Sequence, residues 1–216
     1  IYTLSLHDAL PISTSVKLEQ NWEIRLTLAR DSQERKCIIR LGTGIECNMK
    51  WLAVVGTREV NDTIRRDIER FVGQKIADGC GIVSGGATGT DHEAARLAYE
   101  CGLEAARFQI FLPVKLELYC QALYDRAVVG KCRQDDAVAT VALLRDIAKN
   151  RPGVLHDTTE FTEVNAESFH ARNCQIVALA DELVAFRVNG SPGTTFTIDQ
   201  AQAKGIPVKV FDYTID

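Results

Sequence analysis

From Trp51 onward, short apolar runs alternate with longer amphipathic stretches, and this alternation constrains the fold more than any other feature. Trp51 to Val55 is such a run, cut off by Gly56, as expected of a strand buried on both faces of a parallel sheet. Asn61-Asp62 can then cap a helix whose Ile64, Ile68, Phe71, Val72 and Ile76 share one face, with Gly79 as its stop. Gly81 to Ser84 predicts a second strand. Thr90 to Glu93 matches a capping box, so a helix is expected from Thr90 through Cys101. Arg107 to Leu112 predicts a third strand, closed by Pro113.

Helices are expected at about 115–129 and 134–149, broken by Pro152-Gly153. A short extended piece, Phe161 to Val164, leads into a helix from Ala166 to Ala180. Glu182 to Phe186 and Pro207 to Phe211 predict the last strands. Between them, Gly190 to Thr195 reads as a tight loop before a helix ending near Lys204-Gly205. The expectation is an α/β domain: a mostly parallel sheet with helices on both faces and a helical insert at about 115–150. The charged faces of that insert suit a solvated surface or a self-association surface.

Met49, the only methionine, stands directly ahead of the first such strand. Tyr2 to Ile12 (YTLSLHDALPI) looks like the translation of a sequencing-library adapter, and 13–48 carries no motif beyond strand-like patches at Trp22 to Leu28 and Cys37 to Leu41. Two units are therefore expected: 1–48, a non-native leader or an extension, and 49–216, the folded domain.

Composition excludes several classes. The seven cysteines are scattered without a Cys-x-x-Cys pair, and the four histidines do not gather near them. That argues against a metal site and a disulfide framework, and it suits a reducing, cytoplasmic compartment. The chain contains no apolar run long enough for a membrane span. Net charge is −4, and the six basic and six acidic residues of 1–48 cancel, so 49–216 also carries −4. Overall charge thus lends no support to a nucleic-acid partner, although a local basic patch would.

In open α/β sheets ligands bind beyond the carboxyl ends of the strands. Three segments map there: Gly56-Thr57-Arg58; Ser84-Gly85-Gly86-Ala87-Thr88-Gly89-Thr90-Asp91; and Gly190-Ser191-Pro192-Gly193-Thr194-Thr195. Glycine lets backbone N–H groups approach an anion, and a helix N-terminus favours negative charge. A phosphate-bearing ligand is the expectation. None of the three is a P-loop or a dinucleotide fingerprint. Glu93 is read as a capping residue, His92 and His170 as isolated histidines, and Arg172 as an arginine reaching for solvent.

These segments resemble, in order, motifs of the DNA-processing protein A (DprA/Smf) family within the wider superfamily that includes the LOG phosphoribohydrolases. Val55-Gly56-Thr57-Arg58 is similar to the family's Gly-Ser-Arg turn, and Ser84 to Asp91 to its Ser-Gly-Gly-Ala-x-Gly-Ile-Asp. Ala171-Arg172-Asn173-Cys174-Gln175-Ile176 resembles its Arg-Asn-Arg-x-Ile segment, and Gly193-Thr194-Thr195 with Ala201 its last turn and helix.

The resemblance implies a Rossmann-like fold and a pocket for nucleotide phosphates or single-stranded DNA, with a recombinase as a further partner. It places Gly56, Thr57, Arg58, Ser84, Gly85, Gly86, Ala87, Gly89, Thr90, Asp91, Arg172, Asn173, Gly193, Thr194 and Thr195 around the ligand, with no cofactor. Where the LOG enzymes carry a catalytic Glu this chain has Thr197, and a hydroxyl is no general acid at neutral pH. Binding is therefore expected ahead of hydrolysis of nucleoside monophosphates, and ahead of an enzyme generally. A nucleotide-signal sensor is the other alternative. The insert at 115–150 lies outside that family's usual core. If Met49 is the true start, mass spectrometry of the native protein will find no tryptic peptide from 14–48; one such peptide refutes it.

Overall fold

The computed structural model describes residues 14–18, 22–26 and 49–215, which fall into two compact units, Ile1–Asn48 and Met49–Asp216. In the first, β1 (Thr14–Leu18) and β2 (Trp22–Leu26) pair antiparallel, with Val16 opposite Ile24. Residues 22–26 of the patch expected at Trp22 to Leu28 are thus strand β2. The patch at Cys37 to Leu41 and the adapter-like string lie outside the described residues.

The second unit is built on a six-stranded, all-parallel sheet. Its strands are β3 (Trp51–Gly56), β4 (Gly81–Ser84), β5 (Phe108–Phe111), β6 (Leu155–His156), β7 (Glu182–Val188) and β8 (Val208–Tyr213). The helices are α1 (Asp62–Ala77), α2 (Thr90–Glu100), α3 (Leu116–Val128), α4 (Gln134–Asn150), α5 (Ala166–Leu179) and α6 (Pro192–Lys204). Strand order is β6-β5-β4-β3-β7-β8. The chain runs outward from β3 through β6, then returns to β7 on the other side of β3. The order therefore reverses between β3 and β7.

Alternation along β3 separates two cores. Leu52 and Val54 face a cluster with Ile64, Ile68 and Val72 of α1, Ala94 and Ala98 of α2, and Val141 and Leu144 of α4. Ala53 and Val55 face Ile176 and Val177 of α5 and Ile198 and Ala201 of α6. This is the three-layer arrangement expected of a Rossmann-like domain. Ile64 and Ile68 are wholly buried, and full burial of such a side chain contributes about 1.5–3 kcal/mol. The α3–α4 insert packs on the α1–α2 face.

Side-chain caps account for two helix starts. Asn61 caps α1 by accepting from the Ile64 N–H at 2.9 Å. Asn165 and Ser168 form a reciprocal capping box at α5. Three expectations are corrected. Thr90 does not cap α2: it is the first helical residue, its hydroxyl buried beside Gly56. Glu93 does not cap either, because Arg65 and Arg96 draw it sideways at 2.9 and 3.0 Å. Residues 192–195 are the first turn of α6, not a loop, since Pro192 is pre-set for a first helical position. In addition, the fourth strand in chain order within the sheet is Leu155–His156, and Phe161 to Val164 forms no strand. Two residues between Val154 and Asp157 are too short a run for periodicity to mark.

Burial would raise the Glu93 pKa, but its hydrogen bonds to Arg65 and Arg96 hold it below the ordinary carboxylate range. Burial lowers that of His92, whose Nδ1 lies 3.2 Å from Thr140 Oγ1. Both groups bind fewer protons folded than unfolded, so each stabilises more as pH rises. The His92 contribution is lost as pH falls below about 6.5, and that of Glu93 as it falls below about 4.3. Urea midpoints should therefore drop in two stages from pH 7.5 to 3.5, and His92→Gln should remove the upper stage.

Candidate nucleic-acid-binding site

The reversal of strand order opens a crevice at the carboxyl ends of β3 and β7, the place where open α/β sheets take ligands. A cavity of about 690 Å³ lies there. The turn after β3 supplies Gly56, Thr57 and Arg58; the start of α2, with its loop, supplies Ala87 and Asp91; α5 supplies Phe169, His170, Arg172 and Asn173; and the start of α6 supplies Gly193, Thr194 and Thr197.

The turn after β3 is held from both sides. Thr57 N–H donates to Phe186 O at 2.8 Å, and Thr57 O accepts from Thr90 N–H at 2.9 Å. Gly89, at φ +76°, lets α2 come this close, because a Cβ there would strike the backbone of Thr57 and Arg58. The positioning of Arg58 thus depends on a glycine thirty-one residues further along the chain.

The Gly-rich loop after β4 is occupied from within. Asp91 Oδ2 accepts from the Ala87 N–H at 3.2 Å and from Arg172 Nη1 at 3.2 Å. The two charged side chains are 9% and 6% exposed, so this is a buried ion pair. A Cβ on Gly85 would overlap the Arg172 guanidinium. Gly85 is therefore glycine because Arg172 lies against it. Arg172 does not reach for solvent as a helical arginine commonly does; it turns inward to Asp91. Its Nε is buried without a partner among the described residues.

Phe169 stands one helical turn before Arg172 and links the two arginines. Its ring has the Arg58 guanidinium at 4.8 Å and that of Arg172 at 5.6 Å. Arg58 forms no ion pair among the described residues. Burial lowers its pKa, Arg126 and Arg172 lower it further, and Tyr119 and Asp91 act in the opposite direction. An anion placed at Arg58 would relieve both the desolvation and the like-charge repulsion.

Asn173 joins α5 to α6 by donating to Thr197 Oγ1 at 2.9 Å, and that hydroxyl donates to Gly193 O at 3.1 Å. Of the residues expected around the ligand, Gly56, Thr57, Arg58, Ala87, Asp91, Arg172, Asn173, Gly193 and Thr194 line the cavity. Ser84, Gly85, Gly86, Gly89, Thr90 and Thr195 do not. Ser84 Oγ donates to Val54 O, Gly86 faces Leu112 and Leu144, and Thr195 Oγ1 accepts from Arg187.

Sequence reading missed Phe169, Glu59 and the β7 end. Phe169 carried a signal, since a residue three before Arg172 shares its helix face. His170, read as isolated, stacks on Phe196 with ring centroids 4.1 Å apart and lines the cavity. Asn189, at φ +48°, carried none: its side chain pairs with the Ile215 backbone and brings the end of the chain to the cavity.

Sheet order and layer arrangement together define a Rossmann-like domain. The family model for DNA recombination-mediator protein A matches residues 19–108, on both sides of Met49. DNA-processing protein A from Helicobacter pylori, described for its single-stranded DNA binding, superposes with TM-score 0.53 at 21% identity, over 74% of this chain and 64% of that one. DNA-processing protein A from Streptococcus pneumoniae superposes with TM-score 0.52 at 20% identity, over 75% of this chain and 50% of that one. The chain thus carries a domain like that of DNA-processing protein A, and it spans about half to two thirds of those relatives. No curated protein sequence matches it.

Removing one partner from a buried pair strands the other charge. Asp91→Ala should therefore cost about 3–5 kcal/mol, and adding Arg172→Met should recover much of that loss. Urea denaturation of the four members of the cycle checks it.

Proposed function

We propose that the cavity binds single-stranded DNA through its phosphates, with residues 49–216 acting as a binding module of the DNA-processing type. The observation that carries this reading is Arg58: a half-buried guanidinium, unpaired among the described residues, held over the Phe169 ring at the strand-order reversal. A phosphate there gains a charge-assisted hydrogen bond, and an adjoining base has the aromatic faces of Phe169 and His170 nearby. The unpartnered Arg172 Nε adds a second buried donor. Asp91 occupies the Gly-rich loop, so the phosphate belongs at Arg58 and not over residues 85–89.

Engagement of the polar groups favours binding over bond cleavage. The Asp91 carboxylate is tied to Arg172 and the Ala87 N–H, and the Thr197 hydroxyl to Asn173 and Gly193 O. The resemblance extends the proposal to a recombinase partner, the charged faces of the insert to self-association, and the scattered cysteines to a cytoplasmic location. Among the described residues no helix is long and apolar enough to cross a membrane.

Fluorescence anisotropy of a labelled (dT)20 titrated with the full chain tests the reading. Saturable binding should weaken as salt rises, and Arg58→Ala should weaken it by about tenfold or more. Absence of binding at low salt refutes it.

A further inference from the structure

Two aromatic rings at the cavity wall stand outside the ion-pair framework. His170 of α5 and Phe196 of α6 stack, with ring centroids 4.1 Å apart and planes 16° from parallel. His170 is exposed and lines the cavity, whereas Phe196 is half-buried and does not line it. Phe196 thus backs the imidazole and leaves it one face to offer. A flat ring held in this way takes a second flat ring in the same stacked geometry. The Phe169 ring is less free, because two guanidiniums already lie over it at 4.8 and 5.6 Å.

Gly193 supplies a second observation. It stands three residues before Phe196 in α6, on the same helix face, and it lines the cavity. Its φ is not among the positive ones, and a Cβ there would meet nothing within 4 Å. Neither backbone conformation nor crowding therefore calls for glycine, a residue that weakens a helix relative to alanine. The open space sits on the cavity wall, one helical turn from the His170–Phe196 stack. Its shape suits a flat ligand.

We propose that the His170–Phe196 pair is a nucleobase platform, on which a base of the bound strand stacks in the room left by Gly193. This rests on the single-strand reading of the cavity and adds where a base goes once a phosphate is at Arg58. His170 directly follows Phe169, about 3.8 Å away along the backbone. The phosphate over one ring and the base on the other then belong to one short stretch of strand. Every base has a π face, so the platform demands a base without selecting a sequence.

The test uses the full chain, titrated by fluorescence anisotropy with labelled (dT)12 and with a labelled abasic 12-mer carrying the same phosphates. Wild type should bind the abasic strand about tenfold more weakly or worse, the effect of losing one base stack. His170→Ala should weaken (dT)12 binding by a similar factor and close most of the gap between the two strands, whereas His170→Tyr should keep the gap. Gly193→Leu, which fills the room, should close it too. Thermal melting monitors folding, and the Gly193→Leu midpoint should not fall, because the added side chain meets open space. If wild type binds both strands equally, or His170→Ala keeps the gap, the platform is refuted and the phosphate reading of the cavity stands. If neither strand binds wild type at low salt, both readings fall together.

Discussion

The buried pair between Asp91 and Arg172 organises the site. A carboxylate and a guanidinium this far from water persist only when each finds its partner and hydrogen bonds in place. Asp91 meets that condition by accepting from Arg172 and from the Ala87 N–H, which locks the Gly-rich loop to the first turn of α2. Arg172 approaches from the other side of the sheet edge, against Gly85 and beside Phe169, with its Nε still without a partner among the described residues. One ion pair thus joins α2 to α5 across the crevice, and the aromatic ring that supports Arg58 is carried on the same helix.

This arrangement changes what a Gly-rich turn means here. Such turns elsewhere bring backbone N–H groups to a phosphate. In this fold glycine at 85 makes room for an arginine, and glycine at 89 makes room for the neighbouring turn. An internal carboxylate plays the anion at the loop. Among the described residues Arg58, one strand away, is left without an ion-pair partner in the crevice.

Much of the architecture was legible because short apolar runs and helical stripes are local patterns. Asn61, the Ile64–Ile68–Val72–Ile76 face and the five longer strands all follow from neighbours in the chain. Strand β6 escaped because two residues carry no period. The capping box at Thr90 failed because the pattern is satisfied equally well by a buried hydroxyl and a Glu pulled away by arginines from α1 and α2. Most of the cavity lining lay within the motifs, but the motifs also contained residues that only pack, such as Ser84 and Gly86. Sequence spacing does not separate a glycine that faces a ligand from one that faces a leucine.

The sequence by itself determined the α/β class, the alternation that makes the sheet parallel, and the sheet edge where its turns gather. Those depend on periodicity and on glycine, proline and capping residues, whose effects reach only a few positions. Tertiary structure alone decided that β7 returns beside β3, that Arg172 turns inward to Asp91, and that Arg58 lies over the Phe169 ring. Each of these joins residues 81 to 130 positions apart, and such pairings are set by packing and by the cost of burying charge.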